Sequence, residues 1–189
     1  MLQKALNFAT EAHSGQIRKD GSDFITHPVE VMRILSVEFP IQVSDETKVI
    51  ALLHDTIEDT AITFEMLMKE FNLSVAGGVL QLTKDGEEYL RARRYEAKLL
   101  HASEEIKYIK IADFVHNFRT LKLMKEPGGF ITPETGKFIE FFHKRAMGAM
   151  FDLVLSCNRS TAIIMWFEKQ INDAIRSDWK GVLNEISVV

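Results

Sequence analysis

One short segment combines a hydrophobic helical pattern with four side chains that could bind a metal. Residues 51–60 read Ala-Leu-Leu-His-Asp-Thr-Ile-Glu-Asp-Thr, which contain His54, Asp55, Glu58 and Asp59. If the segment is one helix, residues four apart share a face, and His54 then lies next to Glu58 and Asp55 next to Asp59. Adjacent residues diverge by about 100° around a helix axis, so His54 and Asp55 share a cation only if it lies between them. The pair alone is therefore a weak metal signal.

Two distant residues strengthen the metal hypothesis. His27 precedes Pro28, which can begin a helix at its first position and so holds the histidine on stiff backbone. Asp113 lies in an apolar helical run, where an unpaired carboxylate would be costly and needs a cation. The alternatives are a capping or surface role for His27 and, for Asp113, a salt bridge to Lys110 or Arg119.

The four candidate ligands His27, His54, Asp55 and Asp113 have donor atoms that suit a restricted set of cations. Histidine nitrogens with carboxylate oxygens favour Mn²⁺, Fe²⁺ or Zn²⁺ over Mg²⁺ and Ca²⁺, which prefer oxygen alone. Such a cation lowers the pKa of a water towards neutrality and so prepares it for attack on phosphorus. Glu58 and Asp59 could then orient the water or move protons.

Hydrophobic residues recur at helical spacing along nearly the whole chain, which predicts an all-α fold. After two N-terminal helical stripes, one of which runs from Leu2 to Ala12, the predicted helices cover residues 45–58, 64–71, 74–82, 87–101, 104–124, 133–155, 161–176 and 177–186. Glycine and proline turns separate them, but none is long enough for a domain linker. We expect one domain over residues 1–189, with the motifs in about 1–125 and C-terminal helices in about 130–189.

Composition limits the function further. The chain has 189 residues, 46% of them hydrophobic, and a net charge of −4, which argues against an extended nucleic-acid surface. Its single cysteine excludes an intramolecular disulfide and favours a reducing compartment. The sequence contains no recognisable secretory signal and no apolar stretch of membrane-spanning length, so we expect a cytoplasmic protein without membrane partners.

The ordered motifs resemble the HD-domain hydrolases of the RelA/SpoT alarmone family, especially their small single-domain members. The resemblance runs from about Ala5 to Leu123 and comprises Ala12 to Gly21, Thr26-His27-Pro28, Ala51 to Thr60, Leu82-Thr83-Lys84 with Phe71, and Ile109 to Leu123. It implies an HD-domain helical bundle. It also implies an enzyme that removes the 3′-pyrophosphate from guanosine tetra- or pentaphosphate (ppGpp or pppGpp).

The same resemblance implies roles for individual residues. One Mn²⁺ would be bound by His27, His54, Asp55 and Asp113, and Glu58 and Asp59 would form the catalytic pair. Arg18, Lys19 and Asn117 match positions that contact the nucleotide, so the partner would be a small anionic nucleotide. Phe141-Phe142 resembles an aromatic pair near the nucleotide. His13 is interpreted as a packing residue beside the site, and His116 and His143 as surface or substrate-proximal residues.

Some features depart from the family pattern and keep other functions open. Phe114 follows Asp113 where family members usually carry a basic residue, and the segment from Glu87 to Arg94 is idiosyncratic. These departures favour, as an alternative, a phosphohydrolase for another nucleotide, such as an adenosine alarmone, another 3′-phosphorylated nucleotide or a nucleoside monophosphate. A non-catalytic nucleotide sensor is a further alternative. The basic stretch from Arg91 to Lys98 is equally compatible with a solvated face and with ligand contact. The sequence leaves the oligomeric state open.

Overall fold

A computed structural model describes residues 1–84, 88–120 and 147–174, with side chains throughout except at 88–93. The described residues form α1 (Leu2–Ala12), α2 (Thr26–Arg33), α3 (Asp45–Leu53), α4 (Thr56–Asp59), α5 (Phe64–Glu70), α6 (Leu73–Leu82), α7 (Glu88–Leu100), α8 (Glu104–Thr120), α9 (Met147–Leu155) and α10 (Ser160–Ala174). A π-helical turn, Ile34–Glu38, extends α2. The predicted all-α fold is confirmed. The expected segments around Phe141, His143 and Trp179 lie outside the described residues.

Local sequence signals define several helix starts. Ser44, Thr63 and Asn72 precede α3, α5 and α6, and the side-chain oxygen of each accepts a hydrogen bond from the backbone amide three residues later. These caps satisfy amides that have no partner inside the helix. The short side chains thus fix where the helices begin.

Helix α3 forms the centre of the N-terminal half. Its last five residues, Val49 to Leu53, are all buried, and it packs against α1, α2 and α6. Gly78 permits the close approach of α6, because a Cβ atom there would lie 2.6 Å from Cδ1 of Ile50. The C-terminal end of α3 is therefore held firmly in the core.

Helix α8 is buried on nearly all sides. Eleven of its 17 residues are buried, and it packs against α2, α3, α6, α7, α9 and α10. Arg119 near its end pairs with Glu38, at 2.6 Å, rather than with Asp113, and so ties α8 to the π-helical turn. No helix of the described residues is long and apolar enough to cross a membrane.

The structure corrects two expected boundaries. The helix expected over 45–58 is interrupted at His54 and Asp55, where the chain turns before the short helix α4. Helix α2 begins at Thr26, so Pro28 is its third residue rather than its first. Proline is still tolerated there, because the amides of a first helical turn lack intrahelical partners.

Candidate metal centre

Three separate elements supply the four predicted ligands, of which His27, His54 and Asp55 form one close group and Asp113 contacts His27. His27 lies in the first turn of α2, His54 and Asp55 lie in the turn between α3 and α4, and Asp113 lies in the middle of α8. Nε2 of His27 is 3.1 Å from Oδ1 of Asp113 and 3.5 Å from Oδ2 of Asp55. Nε2 of His54 is 3.1 Å from the same Oδ2 of Asp55. The two adjacent side chains therefore meet at one point, although both residues keep right-handed helical backbone angles.

His54 presents one nitrogen to this cluster. Its Nδ1 donates a hydrogen bond to the carbonyl oxygen of Ala51 at 2.8 Å. Its Nε2 is buried and faces Oδ2 of Asp55 at 3.1 Å, an ion-pair contact that lacks hydrogen-bond geometry. This nitrogen is therefore directed at the carboxylate and not at the backbone. A cation could be shared between the two atoms.

His27 is oriented in a similar way, but by a different partner. Its Nδ1 lies 2.7 Å from Nδ1 of His116, and both rings are buried. Its Nε2 therefore faces the carboxylates of Asp55 and Asp113. The sequence interpretation of His116 as a surface or substrate-proximal residue was wrong in its first part, because α8 has no solvent face at this position. His143 lies outside the described residues.

Asp113 combines both interpretations that the sequence allowed. Its Oδ1 faces His27 and also accepts a hydrogen bond from Nδ2 of Asn117 at 2.6 Å. Its Oδ2 accepts one from Nζ of Lys110, also at 2.6 Å. The expected salt bridge is therefore present, and Oδ1 of Asp113 nevertheless points into the cluster.

The electrostatics of the cluster favour a positive charge. Burial lowers the pKa of His54, but the carboxylates of Asp55 and Asp113 outweigh that effect and raise its pKa to about 9. Burial raises the pKa of Asp113, but Lys110 and His27 hold it well below its usual value. Two ionised carboxylates thus keep a proton on a buried histidine. A divalent cation can replace that proton.

These observations fit a divalent metal. One ligand atom from each of His27, His54 and Asp55 lies within 4.8 Å of the others, which is a spacing that a shared ion requires. The nitrogen and oxygen donors are those of a transition-metal site. Asp113 is not part of this group of three, and its Oδ1 contacts the group through Nε2 of His27.

The two acidic residues of α4 lie beside this cluster in different environments. Glu58 is engaged by Lys84, whose backbone amide and Nζ lie 3.0 and 3.2 Å from the two carboxylate oxygens. Burial, with the neighbouring charges of Asp55 and Glu58, raises the pKa of Asp59. Asp59 therefore holds a proton more readily than an exposed aspartate does.

The cluster lines one side of a cavity of about 500 Å³. Among the predicted nucleotide contacts, Arg18 and Asn117 line this cavity. One terminal nitrogen of Arg18 (Nη2) donates to Oδ1 of Asn117 at 3.2 Å. Lys19 is exposed and is not one of the lining residues, so the structure does not bring it together with the others. The lining also includes a set of mainly apolar side chains, namely Leu82, Tyr95, Leu99, Phe114, Met150 and Leu153.

The basic residues of α7 do not share one environment. Arg94 is exposed. Nζ of Lys98 donates to the carbonyl oxygens of Leu80 and Thr83, at 3.2 and 2.7 Å, and so caps the end of α6. The side chains of Arg91 and Arg93 lie outside the described residues. Lys98 thus has a structural role that the sequence did not indicate.

Comparison with known proteins agrees with this architecture. The profile of the HD domain family matches residues 5–128, so the chain belongs to the HD domain family. A guanosine-3′,5′-bis(diphosphate) 3′-pyrophosphohydrolase, MESH1 of Danio rerio, is 37% identical over 148 residues, which are 75% of this chain and 79% of that protein. The predicted resemblance to RelA/SpoT-type HD proteins is confirmed.

Longer relatives match over the same region. A GTP pyrophosphokinase of Myxococcus xanthus is 35% identical over 137 residues, which are 67% of this chain but only 18% of that protein. A putative chloroplastic GTP diphosphokinase of Oryza sativa, RSH1, is 38% identical over 66% of this chain and 16% of its own length. The chain thus spans less than a fifth of these two relatives.

A solved structure supports the fold over more of the chain. It belongs to a metazoan orthologue of SpoT described as hydrolysing ppGpp, and it superimposes with a TM-score of 0.72 at 29% sequence identity. The match covers 93% of this chain and 94% of that one. Hydrolases of this family depend on a divalent metal, which agrees with the donor cluster of His27, His54 and Asp55.

Proposed function

We propose that the protein is a Mn²⁺-dependent hydrolase that removes the 3′-pyrophosphate from guanosine tetra- or pentaphosphate, giving GDP or GTP and pyrophosphate. The observation that carries the proposal is the buried donor cluster beside Glu58 and Asp59 at the wall of the 500 Å³ cavity. The relatives from Danio rerio and the metazoan SpoT orthologue support the choice of substrate, because each covers most of this chain.

The proposed ligands of the metal are His27, His54, Asp55 and Asp113. Nitrogen donors beside carboxylates favour Mn²⁺, with Fe²⁺ and Zn²⁺ as alternatives. When bound, such a cation supplies Lewis acidity towards a phosphate oxygen and makes a water more acidic. The carboxylates and the imidazoles would hold it between α2, the turn that follows α3, and α8.

The two acidic residues of α4 receive different roles in this proposal. Asp59 would accept and return the proton of the attacking water, because burial and the neighbouring carboxylates raise its pKa. Glu58 is held by Lys84, which fixes its carboxylate, and it would orient the same water. Gln16 supports this arrangement, since its side-chain amide donates to the backbone oxygen of Asp59 at 2.7 Å.

The nucleotide would bind between the metal ligands and the loop before α2. Arg18 is the main proposed contact, since a guanidinium can donate two parallel hydrogen bonds to a phosphate. Asn117 lies beside it, and Lys19 would have to reach the nucleotide from the exposed face of the loop. A highly charged nucleotide needs such cationic partners.

The test is a product assay with the full-length protein. Chelator-treated protein is loaded with Mn²⁺ and incubated with guanosine tetraphosphate, and pyrophosphate and orthophosphate are measured separately. We expect pyrophosphate together with GDP. Asp55→Asn should abolish the release, whereas His101→Gln, at an exposed histidine outside the cavity lining, should leave it unchanged. No pyrophosphate with correctly loaded protein would refute the substrate assignment.

One observation favours a second candidate, a phosphohydrolase for another nucleotide. Phe114 replaces the usual basic residue and is buried against Phe118 and Phe167, with ring centroids at 6.1 and 5.9 Å. It places an aromatic ring at a position where a basic side chain would otherwise attract phosphate. Turnover of a nucleoside monophosphate or an adenosine alarmone, together with failure on guanosine tetraphosphate, would select this candidate.

A further inference from the structure

A pair of buried histidines connects the proposed metal centre to the middle of α8. The Nδ1 atoms of His27 and His116 are 2.7 Å apart, and the ring centroids are 4.9 Å apart. Two nitrogens at this distance share one hydrogen, because a neutral imidazole carries hydrogen on only one of its two nitrogens. One ring therefore donates and the other accepts.

The role of each ring depends on what faces Nε2 of His27. Without a cation, Nε2–H of His27 can donate to Oδ1 of Asp113, 3.1 Å away. Nδ1 of His27 then has to accept the hydrogen bond from Nδ1–H of His116. With a cation at Nε2, the hydrogen of His27 has to be on Nδ1, so that His27 donates and His116 accepts.

We infer that His116 is a positioning residue for the metal: its Nδ1 exchanges the donor role for the acceptor role when His27 becomes a ligand. The inference rests on the metal centre proposed above and assigns no nucleotide. The protons balance within the pair, because Nδ1 of His116 gives its proton to Nδ1 of His27. Nε2 of His27 releases a proton, and Nε2 of His116 takes one up.

The surroundings of His116 agree with an acceptor role. The ring is buried, and its Nδ1 faces Nδ1 of His27, so burial favours the neutral form of the ring. A neutral imidazole can both donate and accept, whereas a charged one can only donate. The ring sits one turn beyond Ala112 and Asp113, so the same stretch of α8 supplies a ligand and a support for another ligand.

A matched pair of variants tests the acceptor. An asparagine at position 116 places its Oδ1 close to where Nδ1 of the histidine lies. A leucine there has nearly the same shape as the asparagine but offers no hydrogen-bond acceptor. Chelator-treated full-length protein is titrated with Mn²⁺, and the free ion is measured by electron paramagnetic resonance. We expect His116→Leu to weaken Mn²⁺ binding by about 10–100-fold, which is the usual cost of losing such a partner. His116→Asn should stay close to the unchanged protein.

Two outcomes would overturn the inference. An unchanged Mn²⁺ affinity in both variants would mean that the acceptor is irrelevant, and an equal loss in both would mean that only the volume of the ring matters. Circular dichroism of the metal-free variants establishes that both are folded.

A second measurement needs no variant. Nitrogen-15 spectra of histidine-labelled protein report which ring nitrogen carries hydrogen. We expect Nδ1 of His116 to be protonated without metal and unprotonated after addition of Zn²⁺. An unchanged protonation of this nitrogen refutes the inference, and neither measurement depends on which nucleotide the protein hydrolyses.

Discussion

Replacing Asp113 tests its two contacts separately. Oδ2 of Asp113 neutralises Lys110 at 2.6 Å, and both side chains are largely buried, with exposures of 7% and 19%. Asp113→Asn therefore leaves a mostly buried ammonium without its counter-charge. Breaking one partner of a buried pair costs about 3–5 kcal/mol, and the exposed fraction of Lys110 places our expectation at about 3 kcal/mol.

The double variant Asp113→Asn, Lys110→Met removes the unpaired charge as well. Replacing both members of a buried pair by uncharged groups is often nearly neutral, so we expect it to recover about 2 of the lost 3 kcal/mol. Lys110→Met alone leaves the carboxylate near His27 and should bind metal. In both proteins that lack Asp113, the Mn²⁺ affinity should fall by more than about 100-fold. A loss of about 100-fold is the upper end of what the removal of a residue that only supports a metal ligand causes.

Two measurements on the same four proteins distinguish the contributions. Urea denaturation of the metal-free proteins gives the free energy of unfolding, and Mn²⁺ titration gives the affinity. If the double variant regains stability and also binds Mn²⁺ like the unchanged protein, Asp113 is only a salt-bridge partner. If Asp113→Asn causes no loss of stability, our account of Lys110 is wrong.

Three further predictions follow from the site. Because metal binding displaces a proton from His54, whose pKa is about 9, Mn²⁺ affinity should rise about tenfold per pH unit between about pH 6 and 8; a flat titration series would contradict this. Asp59→Asn should lower kcat by about 100-fold or more with little change in KM, because it removes the proposed proton acceptor, and an unchanged kcat would assign the proton to another group. Arg18→Met should raise KM by about tenfold or more, because one hydrogen bond to a charged group is worth that much. The Mn²⁺ affinity should not change. Steady-state kinetics measures the KM, and a metal titration measures the affinity.

Local signals in the sequence were sufficient for most of the helices. The caps at Ser44, Thr63 and Asn72 act within four residues, and hydrophobic periodicity marks the buried faces. The predicted helices 64–71 and 74–82 therefore agree with α5 and α6 to within one residue at either end, and the helix predicted over 161–176 begins within one residue of α10. Expectations that depend only on neighbouring residues were the accurate ones.

The break at His54 and Asp55 could not be predicted in the same way. Apolar residues continue through it, so the periodicity indicates one helix. Side chains replace part of the backbone hydrogen bonding, because the ring of His54 donates to Ala51 and the hydroxyl of Thr56 donates to Leu53 at 2.7 Å. In a continuous helix these two carbonyl oxygens would accept from backbone amides four residues later. Many sequences contain side chains that can compete with backbone hydrogen bonds in this way. The competition leaves no periodic pattern of apolar residues from which it could be predicted.

His116 illustrates how the burial of a whole helix limits the sequence interpretation. A helix with one apolar face reveals which positions point outward, but α8 is buried almost all round and has no such face. Every polar residue in its buried part then needs a specific partner. Lys107 reaches the carbonyl oxygen of Ser156 at 3.1 Å, Lys110 pairs with Asp113, and His116 contacts His27. The cost of burying an unpaired polar group, which led us to expect a cation near Asp113, therefore applies to His116 as well. The partner of His116 is His27, one of the proposed metal ligands.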